Sequence, residues 1–296
     1  MRERITLLLV ALLAIQATSV YGKAPAARVQ FAAYPSYECP PDFLGPHEQQ
    51  FFECVKVRRR DTLAKLFGSN WEIVSRINKV NPLVLKIGMI LKVPRDFEWA
   101  KTYSPLPDSL PQVRHLKQFV LIDLGGQYLA GYENGKQMFW YPISSGFNPR
   151  QTPHAYIRDI VRIDSIQSGR MYKDSLPDLS TPTGFFSVLW KDSTHVSGTF
   201  FKIDSLTSDS IGAPMPWGMM FFPAYWEHGT GDNPWGLPGY PASHGCVRTF
   251  DKDAEALYRW VKHRTLILIV ENREEIDVML GQLPKGSRPS SNTRQN

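Results

Sequence analysis

Short stretches of apolar and β-branched residues fill much of the second half of the chain, and this pattern is typical of β-strands. The predicted strands are 119–123, 128–132, 136–143, 184–190, 217–222 and 265–270. Asn134-Gly135 separates two of them and is a strong signal for a two-residue hairpin turn. One helix is predicted from Asp251, because apolar residues follow at helical spacing: Ala254, Leu257, Tyr258 and Val261. This half is therefore predicted to be α+β, with more strand than helix.

A different pattern fills residues 52–95, where a strand, two helices and a second strand follow one another. The predicted elements are 52–57, 61–67, 71–78 and 89–93. Asp61 and Asn70 are the expected N-caps of the helices, and Pro94 ends the second strand. With 296 residues and 43% hydrophobic content, the chain is long enough for two modest domains.

The remaining segments show no strong periodicity. Residues 1–22 combine a charged start, an apolar run and small residues at a cleavage position, which predicts a cleaved export signal. The alternative, a membrane anchor, is disfavoured because the run is shorter than the roughly 20 residues that span a bilayer. We therefore expect no membrane span after cleavage. A covering linker is expected over 23–51, a Pro-rich spacer over 96–117 and a partly disordered tail over 272–296.

The charge balance and the cysteines fit an exported protein of the periplasm or cell wall. The net charge of +6 favours polyanionic surroundings, whereas nucleic acid is not expected, because no basic helix or ladder of aromatic and basic residues is present. Cys39 and Cys54 are near in sequence and are expected to pair, which leaves Cys246 free. A lone cysteine is often an inert buried side chain. Here polar neighbours favour a reactive thiol: Ser243, His244 and Arg248.

Cys246 has two candidate partners for thiol chemistry. Because a free thiol has a pKa of about 8.5, an imidazole is needed to take its proton at neutral pH. His228 comes from another segment and can approach the sulfur, whereas His244 is expected to share one face of an extended strand with Cys246. The backbone amides of Gly245 and Cys246 are the expected oxyanion donors.

Residues 52–95 resemble a LysM module. The similarity lies in five motifs: Val55-Lys56-Val57, Asp61-Thr62-Leu63, Ile77-Asn78, Asn81-Pro82 and Ile87-Gly88-Met89-Ile90-Leu91-Lys92-Val93-Pro94. Such modules bind glycans that contain N-acetylglucosamine, so the resemblance implies peptidoglycan strands as a partner. Arg60 departs from the pattern, because a glycine usually precedes the Asp-Thr pair. The alternative is a spacer that keeps the fold and binds no glycan.

Residues 118–271 resemble the YkuD-type catalytic domain of L,D-transpeptidases. The matching motifs are Ile143-Ser144-Ser145-Gly146, Thr181-Pro182-Thr183-Gly184, His228-Gly229 and Pro241-Ala242-Ser243-His244-Gly245-Cys246-Val247-Arg248. The resemblance implies a mostly antiparallel β-sandwich-like fold. It also implies that His228 is the base, that the Gly229 carbonyl orients it, and that His244 shapes the site.

The resemblance implies acyl transfer on peptidoglycan stem peptides, with no cofactor and no metal. Cys246 would attack the bond between the diamino acid and D-Ala and form a thioester. An amine then resolves it, which gives a 3→3 cross-link, attachment of a lipoprotein or exchange of a D-amino acid. Arg248 is expected to bind a stem carboxylate. Ser243 is a candidate substrate contact or a hydrogen-bond support for the loop.

Three other functions are alternatives to this one. Water in place of the amine would make an L,D-carboxypeptidase that trims stems. A zinc hydrolase with His228, His244 and Cys246 as ligands is chemically possible, but no acidic general base has the spacing of a known zinc motif. The third is a non-catalytic peptidoglycan-binding protein. Two features depart from the family: an insert over 148–180, expected to be a lid or specificity loop, and Glu227, expected to raise the pKa of His228 or to face solvent.

Overall fold

The computed structural model describes six ranges of the chain: 36–80, 82, 85–147, 179–203, 210–231 and 240–283. The export signal predicted at 1–22 and all but the last two residues of the 148–180 insert lie outside the described residues. In these six ranges, none of the helices has both the length and the apolar character needed to cross a membrane.

The N-terminal unit, residues 36–95, contains two antiparallel strands and two short helices. Its elements are β1 (Phe52–Lys56), α1 (Leu63–Phe67), α2 (Trp71–Asn78) and β2 (Ile90–Pro94). The N-cap of α1 is Thr62 and not Asp61, because the Thr62 hydroxyl accepts a hydrogen bond from the Lys65 amide at 3.1 Å. Asp61 instead accepts one from the Arg58 amide at 2.7 Å. Asn70 precedes α2 but its side chain makes no capping bond.

Arg60 occupies a backbone conformation that favours glycine. Its φ angle is 70°, in the left-handed region where a side chain adds strain. The departure from the LysM pattern noted in the sequence therefore falls where the turn before α1 requires a positive φ.

The covering segment is held to β1 by a disulfide. Cys39 is bonded to Cys54, with their Cα atoms 5.2 Å apart, and this confirms the predicted pair. Leu44 and Phe51 are buried in the same cluster as Cys54. The segment from 36 onwards is therefore packed on the N-terminal unit.

The stretch 96–117 is not the extended spacer that its prolines suggested. It contains α3 (Phe97–Ala100) and a 3-10 turn at 111–113, and it buries Leu106, Leu110 and Val113 against the sheet. The Leu110 amide donates to the Gly135 carbonyl at 2.7 Å. Apolar residues between the prolines cover a hydrophobic sheet face, and this burial outweighs the preference of a Pro-rich chain for an extended form.

The C-terminal unit, residues 118–283, is built mainly from strands. They are β3 (Phe119–Asp123), β4 (Tyr128–Glu133), β5 (Lys136–Pro142), β6 (Gly184–Ser187), β7 (Trp190–Asp192), β8 (Val196–Ile203), β9 (Ser210–Pro214), β10 (Gly218–Phe222), β11 (Tyr225–Gly229), β12 (Val247–Thr249) and β13 (Leu266–Val270). The helices are α4 (Asp251–Trp260) and α5 (Glu275–Gly281). The predicted mostly-sheet domain with few helices is confirmed.

Three sheets make up this unit. One has five strands in the order β5-β4-β3-β13-β6, one has four in the order β12-β11-β10-β7, and β8 pairs with β9. Most pairs are antiparallel; β3 with β13 and β11 with β12 are parallel. Ala254, Leu257 and Val261 are buried, which confirms the predicted apolar face of α4. The tail expected over 272–296 is ordered at its start, because α5 buries Ile276 and Leu280 against the five-stranded sheet.

Candidate active site

The parallel pair β11–β12 brings together the His228-Gly229 motif and the end of the Cys246 motif. His228 lies opposite Arg248, and Glu227 lies opposite Val247. Because neighbouring residues of a strand point to opposite faces, His228 and Arg248 share one face of the pair, and Glu227 lies on the other. We call these the site face and the buried face.

His228 is buried and held in one orientation. Its Nδ1 atom lies 2.5 Å from the Gly229 carbonyl oxygen, so Nδ1–H donates there and Nε2 keeps its lone pair. Burial, and after it the positive charge of Arg248, lower the pKa of His228 from 6.5 to about 3, although the hydrogen bond to Gly229 opposes them. The imidazole is therefore neutral at pH 7 and able to accept a proton.

Cys246 is free and partly exposed, as predicted. Burial raises the pKa of the thiol, whereas a hydrogen bond from the Trp226 backbone amide and the charge of Arg248 lower it. The bond from Trp226 places the sulfur against β11, two residues before His228. At rest the thiol of Cys246 and the imidazole of His228 are therefore both neutral, and the charge of Arg248 favours the thiolate when it forms.

The loop before β12 differs from the extended strand expected there. Residues 244 and 245 form a bend, and the strand begins only at Val247. Gly245 has φ of 114°, and a Cβ at this position would lie 2.6 Å from the Tyr225 ring. The expectation of an extended strand through His244 and Cys246 is therefore wrong, because the chain bends at Gly245 between them.

Ser243 supports this loop from inside. Its side chain is fully buried; the hydroxyl donates to the Cys246 carbonyl and accepts from the Gly245 amide, the latter at 3.1 Å. The Ser243 hydroxyl therefore both donates and accepts a hydrogen bond within the loop. This favours a role in supporting the loop over contact with a substrate. Because the Gly245 amide is engaged by Ser243, the Cys246 amide is the better candidate oxyanion donor.

A second loop lies against the loop that carries Cys246. Ser144 exchanges two backbone hydrogen bonds with Arg248, both 2.9 Å, and the Thr181 hydroxyl donates to the Gly245 carbonyl at 2.8 Å. Thr181 also accepts from the Gly146 amide at 2.8 Å. A Cβ on Gly146 would lie 2.1 Å from the Leu179 carbonyl oxygen, so the approach of the two loops requires glycine. The Ser-Gly and Thr-Pro-Thr-Gly motifs therefore serve to position the Cys246 loop.

Glu227 neither faces solvent nor raises the pKa of His228. Its side chain is 2% exposed on the buried face, where the Thr249 hydroxyl donates to it at 2.7 Å. Burial raises the pKa of Glu227 to about 8, and the nearby charge of Asp253 adds to this. The carboxyl group is therefore mostly protonated at pH 7 and contributes no field that would raise the pKa of His228.

Sequence reasoning missed the position of His195. Its ring stacks on Trp226 with centroids 3.8 Å apart, its Nδ1 lies 3.6 Å from Asp192, and its charge would lower the pKa of His228. Nothing in the spacing of the histidines signals this, because the turn between β7 and β8 brings the residue back to β11. Across the six ranges, no three His, Cys, Asp or Glu side chains form a group able to hold a metal ion.

A family profile for the L,D-transpeptidase catalytic domain (YkuD) matches residues 117–269, which is more than half of the chain. The chain belongs to this family. The match covers the sheets, the Cys246 loop and both motifs that frame it. It does not extend to the N-terminal unit.

Solved L,D-transpeptidase structures are also similar to this chain. One from Xylanimonas cellulosilytica is 23% identical, covers 67% of this chain and 78% of its own, and gives a TM-score of 0.43. One from Mycobacterium smegmatis is 17% identical, with 52% of this chain and 58% of its own covered and a TM-score of 0.35. One from Enterococcus faecium is 18% identical, with 52% and 50% covered and a TM-score of 0.34. The comparison with curated proteins gives no match.

Proposed function

We propose that this protein is a peptidoglycan L,D-transpeptidase that uses Cys246 as its nucleophile. The observation that carries the proposal is the site face: a free thiol accepts a hydrogen bond from the Trp226 amide of β11, two residues before a buried imidazole whose Nδ1 is fixed by the Gly229 carbonyl. Membership of the L,D-transpeptidase family adds the substrate class, the stem peptides of peptidoglycan.

In the first half of the reaction, Nε2 of His228 accepts the thiol proton as the sulfur attacks the carbonyl of the diamino acid. The new S–C bond gives a tetrahedral oxyanion, which the Cys246 amide stabilises. The C–N bond to D-Ala then breaks, and His228 returns the proton to the leaving amine. The bond between His228 and Gly229 is the interaction that favours the transient imidazolium.

In the second half, the amine of an acceptor attacks the thioester. The amine loses its proton to His228, the S–C bond breaks, and the thiol is restored. The acceptor is a second stem for a 3→3 cross-link, a lipoprotein lysine for attachment, or a D-amino acid for exchange. Arg248 lies on the site face and is suited to a stem carboxylate. His244, in the loop next to Gly245, would complete the pocket.

The N-terminal unit is proposed as a LysM module that holds the enzyme on glycan strands. Two short helices between two antiparallel strands, and a left-handed turn at Arg60, support this identity. An export signal at the start of the chain and the disulfide fit a protein of the periplasm or cell wall. Direct binding of the full chain to purified peptidoglycan, compared with a chain that lacks residues 36–95, tests this part.

The central experiment is mass spectrometry of disaccharide-tetrapeptides incubated with the purified protein and with its Cys246→Ala variant. We expect 3→3 dimers from the wild type and unchanged substrate from the variant, since no other thiol is free in the described chain. Tripeptides alone would assign the trimming activity. Equal products from both proteins would rule out Cys246 as the nucleophile. Metal content, measured on the same sample, separates the zinc hydrolase.

A further inference from the structure

The N-terminal unit contacts the C-terminal unit through Arg76, at the end of α2. One guanidinium nitrogen lies 2.5 Å from Asp253 Oδ1, and another donates to the Trp140 carbonyl at 3.3 Å. The guanidinium carbon also lies 5.2 Å from the centre of the Tyr141 ring. The side chain of Asp253 is only 4% exposed, so this ion pair is largely removed from water.

Other contacts fix α2 in the same place. Lys79 donates to the Gly126 carbonyl at 3.0 Å, and the Tyr128 hydroxyl donates to the Ile77 carbonyl at 2.9 Å. An exposed ion pair joins Lys252 to Glu72 at 2.7 Å. Arg76 is therefore held against the C-terminal unit by bonds on both sides of it.

Asp253 on α4 and Glu227 on β11 are both buried acids, and the charge of Asp253 acts on Glu227. Asp253 lies in the first turn of α4, which packs on β11, and Glu227 precedes His228 on that strand. Within the described chain, one oxygen of each carboxyl, Glu227 Oε2 and Asp253 Oδ2, has no hydrogen-bond partner. Two buried acids in mutual range cannot both ionise without a cation. Arg76 is the cation that contacts Asp253. The charge of Lys252 also acts on Asp253, but from a more exposed position.

We propose that Arg76 is a positioning residue of the active site, supplied by the N-terminal unit, that holds α4 and the catalytic strand β11 in place by neutralising Asp253. With Asp253 paired, Glu227 stays neutral and keeps its bond from Thr249, which links β11 to β12. That link fixes the register of His228 against the Cys246 loop. Without Arg76, Asp253 must either take up a proton or turn towards water, and either change disturbs the packing of α4 on β11.

The catalytic test of this inference rests on the proposed function. It uses the full-length protein. The variants are Arg76→Met, which removes the charge, Arg76→Lys, which keeps it, and Arg76→Met combined with Asp253→Asn, which leaves no unpaired charge. The matched control is Lys252→Met, which removes the exposed ion pair of the same interface. The measurements are kcat and KM for transfer between disaccharide-tetrapeptides.

We expect Arg76→Met to lower kcat by about tenfold to 100-fold, because small displacements of a catalytic group have effects of this size. KM should stay within about twofold, since Arg76 contacts Asp253 and the Trp140 carbonyl and not the side chains of the site face. Arg76→Lys and the double variant should recover most of the lost kcat, and Lys252→Met should leave it unchanged. A double variant no better than Arg76→Met alone, or an Arg76→Met enzyme with wild-type kcat, would overturn the proposal.

A second measurement stays informative if the protein transfers no acyl group. The rate of alkylation of Cys246 by iodoacetamide is followed from about pH 6 to about pH 10, a range that covers the ionisation of thiols. Arg76→Met should shift this profile, and the charge-keeping and double variants should restore it. If Arg76→Met does not fold, the comparison of wild type, Arg76→Lys and the double variant still decides, because an altered profile in the folded double variant contradicts the proposal.

Discussion

The two faces of the β11–β12 pair carry opposite chemistry within one strand. On the site face, His228 is a base that burial keeps neutral, with a pKa of about 3. On the buried face, Glu227 is an acid that burial keeps neutral, with a pKa of about 8. The same desolvation acts on both neighbours, and its consequence depends on the sign of the charge each would carry. A neutral base next to a thiol is useful for catalysis, whereas a neutral acid in the core is tolerated because it is hydrogen-bonded.

The substitution His228→Gln tests the site-face half of this comparison, and it should have the largest effect. Glutamine keeps a donor for the Gly229 carbonyl but cannot accept and return a proton, so we expect kcat to fall by about 100-fold to 10,000-fold. Circular dichroism and the melting temperature should stay close to wild type. The matched control is His115→Gln in an exposed turn, with activity unchanged. Wild-type turnover in the His228 variant would show that this face does not supply the base.

A substitution in the loop before β12 tests whether the bend at Gly245 is needed to position Cys246. Gly245→Ala places a Cβ against the Tyr225 ring at a φ that alanine rarely adopts. We expect the free energy of unfolding to drop by about 1 to 3 kcal/mol. Transfer should fall at least about tenfold, because the loop that holds Cys246 must move. Gly281→Ala, at an open position in α5, is the control for urea unfolding and transfer rates. Equal behaviour of the two variants would contradict the role of the bend.

The smallest effects are expected in the pH dependence of the free energy of unfolding. His228 on the site face and Glu227 on the buried face contribute to it with opposite signs. His228 has a lower pKa folded than unfolded, so between about pH 3 and 6.5 the unfolded chain binds more protons and stability rises with pH. Glu227 has a higher pKa folded, so between 4.5 and about 8 stability falls as pH rises. Each slope approaches about 1.4 kcal/mol per pH unit, and the two cancel between 4.5 and 6.5.

Removing one group should therefore reveal the slope of the other. Relative to wild type, the Glu227→Gln variant should become more stable as the pH rises across this window. The His228→Gln variant should become less stable. Urea unfolding at fixed pH steps measures both differences, and subtraction of the wild-type curve removes the contributions of unchanged groups. Parallel curves for the two variants would mean that burial does not neutralise both side chains.

The strands that sequence reasoning located are those stabilised by local pattern. Asn134 and Gly135 have φ of 48° and 77°, as a two-residue hairpin requires, and the strands on both sides begin and end within a residue of their predicted bounds. The helix at 251–260 was found because its apolar positions repeat at helical spacing. By contrast, β11 and β12 were missed. β11 follows β10 after a Pro223-Ala224 turn that carries no two-residue hairpin signal, and β12 has only 3 residues and pairs in parallel with a strand well before it in sequence.

The residues of the candidate site also differ in whether a local sequence pattern reveals them. Cys246 and His228 stand out in the sequence because a free thiol, a glycine and an upstream histidine form a recognisable motif. Arg76 and Asp253 carry no such signal, since 177 residues separate them and each is an ordinary surface residue by composition. Glu227 was noticed, but its burial and its bond to Thr249 follow only from the packing of α4 on the strand.

The sequence by itself determined the chemistry that is present: one unpaired cysteine, a histidine at family spacing, the glycines that let two loops meet, and the local patterns that form the hairpins. Only the tertiary structure decided the protonation states of His228 and Glu227, the bend that separates His244 from Cys246, and the docking of the N-terminal unit through Arg76. The physical reason is that residue identity and short-range spacing are written along the chain. Desolvation, parallel strand pairing and buried ion pairs depend instead on which distant segments exclude water from one another.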